Sequence, residues 1–210
     1  ENIHMLGNLM IDSLVSHLEL ASTQELNLYD VQGSSLDLSW RTKATPYAMM
    51  TFHRPSNVDE EDSLRILVEE WLKTAELMPI IFPIHPRTFG MLQKFKLLDC
   101  LISSKNIHLT SPLAYLDFLK LLSESTLVIT DSGGIQEETT YLKIPCLTVR
   151  PTTERPITIW EGSNQLILPE DIFIKSKQIT EIPKGDYKVP EYWEGQAAGR
   201  IVKILEIYAE

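Results

Sequence analysis

Apart from its methionines, the 210-residue chain carries sulfur only at Cys100 and Cys146, and neither belongs to a CxxC pair. That scarcity excludes a disulfide framework and a cysteine-based zinc site, and it suits a reducing, cytoplasmic setting. Positive charge is also short. Nineteen Lys and Arg face 29 Asp and Glu, for a formal net charge of −10. Such a surface is a poor partner for nucleic acid or an anionic membrane, so any phosphate must be held by local donors. There is no signal-peptide pattern and no apolar run approaching the roughly 18 residues of a membrane span, so neither membrane insertion nor self-directed export is expected. The first residue is Glu1 rather than Met, as in a processed or excised chain. With 43% hydrophobic residues, the chain has enough apolar material for one sizeable α/β domain, or for one domain with appended segments.

Short apolar runs alternate with helical patterns. Strands are expected at 47–52, 79–84, 107–109, 127–130, 144–149 and 165–168. Between them, helices are expected at 59–77, 88–98, 113–123 (with Pro112 in the first turn) and 134–142, and later at 171–179 and 191–208. Ile11, Leu14, Val15 and Leu18 line one face of an earlier helix that starts near Asn8 or Asp12. Residues 22–45 lack a sustained period and read as a linker with a helical piece near 35–41. Strands alternating with helices at this spacing give a parallel sheet with helices on both faces. Right-handed crossovers then place every strand's C-terminal end on one edge.

Polar clusters follow four of those ends: His53-Arg54, His85-Pro86-Arg87, Asp131-Ser132-Gly133-Gly134, and Arg150 with Glu154-Arg155. Ligands of open α/β sheets bind in the crevice outside such ends. In the third cluster, Gly133 and Gly134 open the backbone at a helix N-terminus, where free N–H groups and the dipole favour an anion such as a diphosphate. The same turn also occurs for purely structural reasons. A histidine after a strand, as at His53, can act on a substrate, bind phosphate, or simply be satisfied by backbone. His53 and His85 together lack an evident third ligand, so no metal site is expected. Glu137 and Glu138 point about 100° apart on their helix. Glu138 is the better placed of the two to meet a sugar hydroxyl, leaving Glu137 to solvent or a neighbouring loop. Arg155 suits bidentate phosphate binding, with pairing to Glu154 as the structural alternative. Phe118 could stack on a base or belong to the core.

Five strings then occur in one order: Thr51-Phe-His-Arg-Pro-Ser-Asn-Val-Asp59, Pro83-Ile-His-Pro-Arg-Thr88, Pro112-Leu-Ala-Tyr-Leu-Asp-Phe118, Thr130-Asp-Ser-Gly-Gly-Ile-Gln-Glu-Glu138 and Thr153-Glu-Arg-Pro156. In order and spacing they resemble the UDP-N-acetylglucosamine 2-epimerases, and Gly7-Asn-Leu-Met-Ile-Asp12 resembles the segment joining that family's two domains. The resemblance implies the C-terminal half of a GT-B-like enzyme: an interdomain segment over 1–45, a Rossmann-like UDP-binding domain over 46–190 and a closing helix over 191–210. Ser132, Gly133 and Gly134 would hold the diphosphate, Arg54 and Arg155 would contact phosphate or substrate, and Glu138 would hold the ribose. Phe118 would pack on uracil, and His85 would line the cleft beside His53, the catalytic candidate of this chain. The implied reaction interconverts UDP-GlcNAc and UDP-ManNAc by elimination and re-addition of UDP, without nicotinamide or metal. Its acidic proton-handling residues would lie on an absent N-terminal domain, in a protein that works as a homodimer. Many members continue TERP with Glu, whereas Ile157 stands here, which loosens the assignment of the exact sugar. A GT-B glycosyltransferase and a stand-alone UDP-sugar binding domain are the alternatives.

Overall fold

The computed structural model describes residues 3–42, 45–181 and 185–209, so residues 1–2 and 43–44 of the expected interdomain segment, 182–184 of the expected domain and 210 of the expected closing segment lie outside it. Six strands of four residues each form one parallel sheet: β1 (Ala48–Thr51), β2 (Ile80–Pro83), β3 (Ile107–Thr110), β4 (Leu127–Thr130), β5 (Cys146–Val149) and β6 (Asn164–Ile167). Their order is β3-β2-β1-β4-β5-β6, and every pairing is parallel, as the alternating pattern implied. β2, β4 and β5 are buried along their whole length, which explains their unbroken apolar runs.

The pleat divides the core in two. Met50, Phe82, Ile129 and Leu147 face one side, where they pack with α3 (Glu61–Ala75), α4 (Pro86–Lys94), α5 (Leu98–Ile102) and α9 (Ile172–Glu181). Met49, Ile81, Val128 and Cys146 face the other, against α6 (Tyr115–Glu124) and α7 (Gly133–Leu142). Helix α1 (Leu9–Thr23) lies outside α6 and α7, burying Leu14 and Ala21 against Leu119. Asn8 caps α1, its side chain accepting from the Met10 N–H. Two short helices, α2 (Pro55–Val58) and α8 (Ile157–Trp160), and the final α10 (Ala197–Ala209) complete the set.

Several expected boundaries shift for local reasons. No helix forms at 35–41. The Asp30 carboxylate instead accepts from the Gln32 and Ser34 N–H groups and Asp37 from Ser39, turn bonds that compete with a helix. Leu36, Leu38 and Trp40 then pack as an extended strap on the core. The 88–98 helix starts earlier and breaks into α4 and α5, because Lys96 adopts a left-handed φ of 57°. The closing helix begins at Ala197 rather than 191, since Tyr192 and Gly195 have φ of 66° and 84°. The Asp12 carboxylate caps it, accepting from the N–H groups of Ala197 and Ala198. Pro112 precedes α6, whose N-cap is Ala114; α2 forms inside the polar stretch 53–59, and α8 forms after Pro156, where no element was expected.

Candidate functional site

The strand order reverses between β1 and β4, so the loops leaving these two strands flank a crevice. Asp131, fully buried just beyond β4, ties the two loops together. Its carboxylate accepts from the His53 N–H (3.1 Å), the Arg54 N–H (2.8 Å) and Asn57 Nδ2 (3.1 Å). It also faces His53 Nδ1 at 3.1 Å. That contact makes Nδ1 the donor and leaves Nε2 as the free ring nitrogen. The His85 ring centroid lies 5.5 Å from that of His53. His85 caps α4, its Nδ1 accepting from the Arg87 N–H, which places its proton on Nε2.

The two rings border a cavity of about 210 Å³ whose other walls include Phe118, Ser132, Ile135 and Leu113. Phe118 is therefore both a half-buried core residue and a cavity wall. Arg87 turns away, making paired bonds of 2.7 Å to both carboxylate oxygens of Asp59.

Helix α7 opens at Gly133 with no side-chain cap, so its first-turn N–H groups stay open to a ligand. The Ser132 N–H bonds Thr130 Oγ1, while its hydroxyl has no protein partner among the described residues. A Cβ at Gly133 would stand 2.9 Å from Glu154 Oε1 and 3.3 Å from Arg155 Cζ, so only glycine fits without displacing them. Gly134 faces Met10 of α1 at ordinary contact distance. The Glu154 carboxylate thus lies over the helix end, and three arginines surround it: Arg150 at 2.7 Å, Arg155 at 3.0 Å and Arg54 at 3.4 Å. Its own backbone N–H, then Arg150 and Arg155, hold its pKa below the usual carboxylate range. A carboxylate held by three guanidinium groups at a helix N-terminus marks an anion cradle.

Arg155 contacts both Glu154 and Glu137, so its structural pairing and its place at the cradle coexist. Gln136 joins the two motifs: it donates to the Ser132 carbonyl and accepts from Thr153 Oγ1, which in turn accepts from the Arg155 N–H. Glu137 does not face solvent; it is buried between Asn8 and Arg155. Glu138 is buried too, on the other side of the helix, where it accepts from the Tyr115 hydroxyl at 3.2 Å. Burial, then the neighbouring Glu137 charge, push its pKa up to about 7 against the lowering effect of the Tyr115 bond. Among the described residues no group of three His, Cys, Asp or Glu side chains could hold a metal ion.

Sequence reasoning missed the roles of Asp131, Asn8 and Gln136, and the position of Glu154. A buried-type acid directly after an apolar strand was the available signal for Asp131. The other contacts join residues up to 129 positions apart and leave no local pattern.

An anion cradle and an apolar cavity lie at the switch point of a doubly wound parallel sheet, in a Rossmann-like α/β domain. The family model described as UDP-N-acetylglucosamine 2-epimerase matches residues 1–206, and the chain belongs to that family. It is 37% identical over 206 residues to the UDP-N-acetylglucosamine 2-epimerase of Methanocaldococcus jannaschii, covering 97% of this chain and 54% of that protein. A crystal structure of the M. jannaschii enzyme in complex with UDP-GlcNAc and UDP superposes with a TM-score of 0.82 at 36% identity, covering 98% of this chain and 55% of that one. The UDP-GlcNAc 2-epimerase from Neisseria meningitidis bound to UDP-GlcNAc gives 0.78 at 26% identity, covering 97% and 55%. The chain spans about half the length of these relatives and corresponds to their C-terminal half.

Proposed function

We propose that this chain is the nucleotide-binding half of a non-hydrolysing UDP-GlcNAc 2-epimerase that interconverts UDP-GlcNAc and UDP-ManNAc. The observation that carries the reading is the anion cradle: the open N-terminus of α7 with Arg54, Arg150 and Arg155 around it, beside the Phe118 cavity. In this reading the diphosphate sits on the N–H groups of Gly133 and Gly134 and on Ser132 Oγ, and takes Arg155 as a charge-assisted donor. Uracil packs on Phe118, and Glu138 accepts from the ribose hydroxyls. His53 and His85 present their outer ring nitrogens to the diphosphate and sugar.

Removing the C2 proton while the C1–O bond breaks gives 2-acetamidoglucal and UDP. Return of UDP to C1 with protonation of C2 from the opposite face gives the epimer. This half stabilises the departing diphosphate, and the carboxylates that move the C2 proton belong to the preceding half. The whole protein is read as a cytoplasmic homodimer serving surface polysaccharides that contain ManNAc. No described helix is long and apolar enough to cross a membrane.

In deuterium oxide the full-length protein should incorporate deuterium at C2 of UDP-GlcNAc. Sugar transfer without that exchange would instead indicate a glycosyltransferase. For this half, calorimetry should show UDP binding, with no heat at millimolar UDP counting against a preformed site. Arg155→Ala and Ser132→Ala should each weaken UDP binding by about 1–3 kcal/mol, through loss of a charge-assisted or buried hydrogen bond. Unchanged affinity in both variants would remove these residues from the site.

Glu138 adds a pH dependence. Its pKa of about 7 makes it largely protonated below neutrality, when it loses half its capacity to accept from a diol. Affinity for UDP-GlcNAc, whose diphosphate has no proton to lose near neutrality, should therefore rise as pH increases through 7 and then level off. Glu138→Gln should bind more weakly and flatten the profile; a wild-type profile flat from acid to base would contradict this role. The folding linkage runs the other way. A carboxyl whose folded pKa lies above its unfolded value binds more protons when folded, so its contribution to stability falls as pH rises toward 7.

A further inference from the structure

We infer that Asn8 and Glu137 are positioning residues for Arg155, so that the segment leading into α1 holds the phosphate-binding arginine in place. The inference rests on the reading of Arg155 as a diphosphate ligand and extends it to residues outside the cradle. Glu137 is 8% exposed, and its two oxygens face different partners. Oε1 accepts from Asn8 Nδ2 at 2.9 Å, and Oε2 faces Arg155 Nε at 3.3 Å. The second contact is an ion pair without a directed hydrogen bond, so the carboxylate alone would hold the arginine loosely. A buried carboxylate is also costly unless its remaining acceptor capacity is satisfied, and Asn8 supplies that bond.

Asn8 is itself fixed twice. Its Oδ1 caps α1 by accepting from the Met10 N–H at 2.9 Å, which leaves its amide free for Glu137. Gly7 before it has φ of 104°, and a Cβ there would stand 2.3 Å from the Tyr192 carbonyl oxygen. The backbone can pass at this point only as glycine, and the direction of the Asn8 side chain follows from it. At the other end of the chain of contacts, Arg155 has Nε on Glu137 and Nη1 on Glu154, with its Cζ over Gly133. A guanidinium group has five N–H donors in a rigid fork, so pinning one edge aims the other. An arginine already ordered loses less side-chain entropy when an anion arrives. The same contacts mean that a displacement of α1 would be felt at Arg155.

Asn8→Asp separates this role from the helix cap, because it keeps the Oδ1 acceptor but turns the amide donor into a charge facing Glu137. In calorimetric titrations of the 210-residue chain, Asn8→Asp should weaken UDP binding roughly tenfold, the equivalent of one lost hydrogen bond to a charged group. Its melting temperature should fall, because a second carboxylate then faces the buried Glu137, so affinities are compared at a temperature where both chains are folded. Glu137→Gln should weaken binding in the same direction. In an Arg155→Ala background Asn8→Asp should add nothing, since its effect passes through the missing guanidinium. Wild-type affinity in Asn8→Asp, or a full additive loss in the Arg155→Ala background, would overturn the inference. The ¹⁵N resonance of Arg155 Nε–H gives a readout independent of nucleotide: sharp and shifted in the wild type, averaged toward free arginine in Asn8→Asp. If the wild type fails to bind UDP, the UDP reading fails, and this resonance still decides whether Asn8 and Glu137 hold the arginine.

Discussion

His53→Asn in the full-length protein is expected to lower the rate of epimerisation by about 10²–10⁴-fold, the range typical for loss of a positioned acid–base group. UDP affinity should fall far less than the rate does. The expectation follows from how the ring is held. Asp131 faces Nδ1 at 3.1 Å and fixes the tautomer, while the ring itself borders the cavity beside Ser132. Asparagine can keep a hydrogen bond to Asp131 but cannot exchange a proton at the Nε2 position. Deuterium incorporation at C2 and product formation should be slowed together, because elimination of UDP is reversible. An unchanged exchange rate would show that His53 only lines the cleft. His85→Asn should do less, since that ring is exposed and spends its Nδ1 on capping α4.

The largest effect on stability is expected at Asp131, not at any core hydrophobe of the site. Its carboxylate is fully buried and satisfies donors from His53, Arg54 and Asn57 at once. Asp131→Ala leaves those donors facing an apolar cavity, so the loss should be about 3–5 kcal/mol, as for breaking a buried charged network. Asp131→Asn should lose less, because one oxygen still accepts while the amide faces like donors. Urea unfolding monitored at the four tryptophans gives the difference directly. A loss below about 1 kcal/mol for Asp131→Ala would mean that the 53–57 loop relaxes to satisfy its own N–H groups. Because Asp131 also orients His53, Asp131→Ala should slow epimerisation at least as much as His53→Asn does.

Glu154 bears on how the cradle accepts its ligand. The carboxylate already sits over Gly133 among Arg54, Arg150 and Arg155, where an incoming diphosphate is proposed to lie. The arginines are therefore partly neutralised in the free chain, and the charge they keep is local, in a chain of net charge −10. Under the proposed function, nucleotide binding is an exchange of anionic partners by arginines that are already gathered.

The strands were legible because most are short apolar runs followed by turn residues, whereas their order in the sheet came from the structure. A parallel sheet buried on both faces needs little else to be recognised. The polar strings at strand ends were legible for a related reason: residues such as Asp131-Ser132-Gly133-Gly134 interrupt an apolar run with polar and glycine residues and so stand out. What failed were features in which local chemistry competes with periodicity. Asp30 and Asp37 turned an apparently helical stretch into turns. A left-handed residue at Lys96 split one helix into two, a break the apolar spacing does not register.

The sequence by itself determined the doubly wound α/β architecture, the glycine-opened helix at the end of β4 and the family to which the chain belongs. Period and turn chemistry are local properties, and the motif strings are contiguous. Only the tertiary structure decided which groups share the crevice and in what state. Burial raised Glu138 to about 7, and folding brought Asn8 to Glu137 across 129 residues. Glu154 was likewise set over Gly133 rather than left as a simple partner of Arg155. Desolvation and contacts between distant segments exist only once the chain is packed, so no local reading of the sequence contains them.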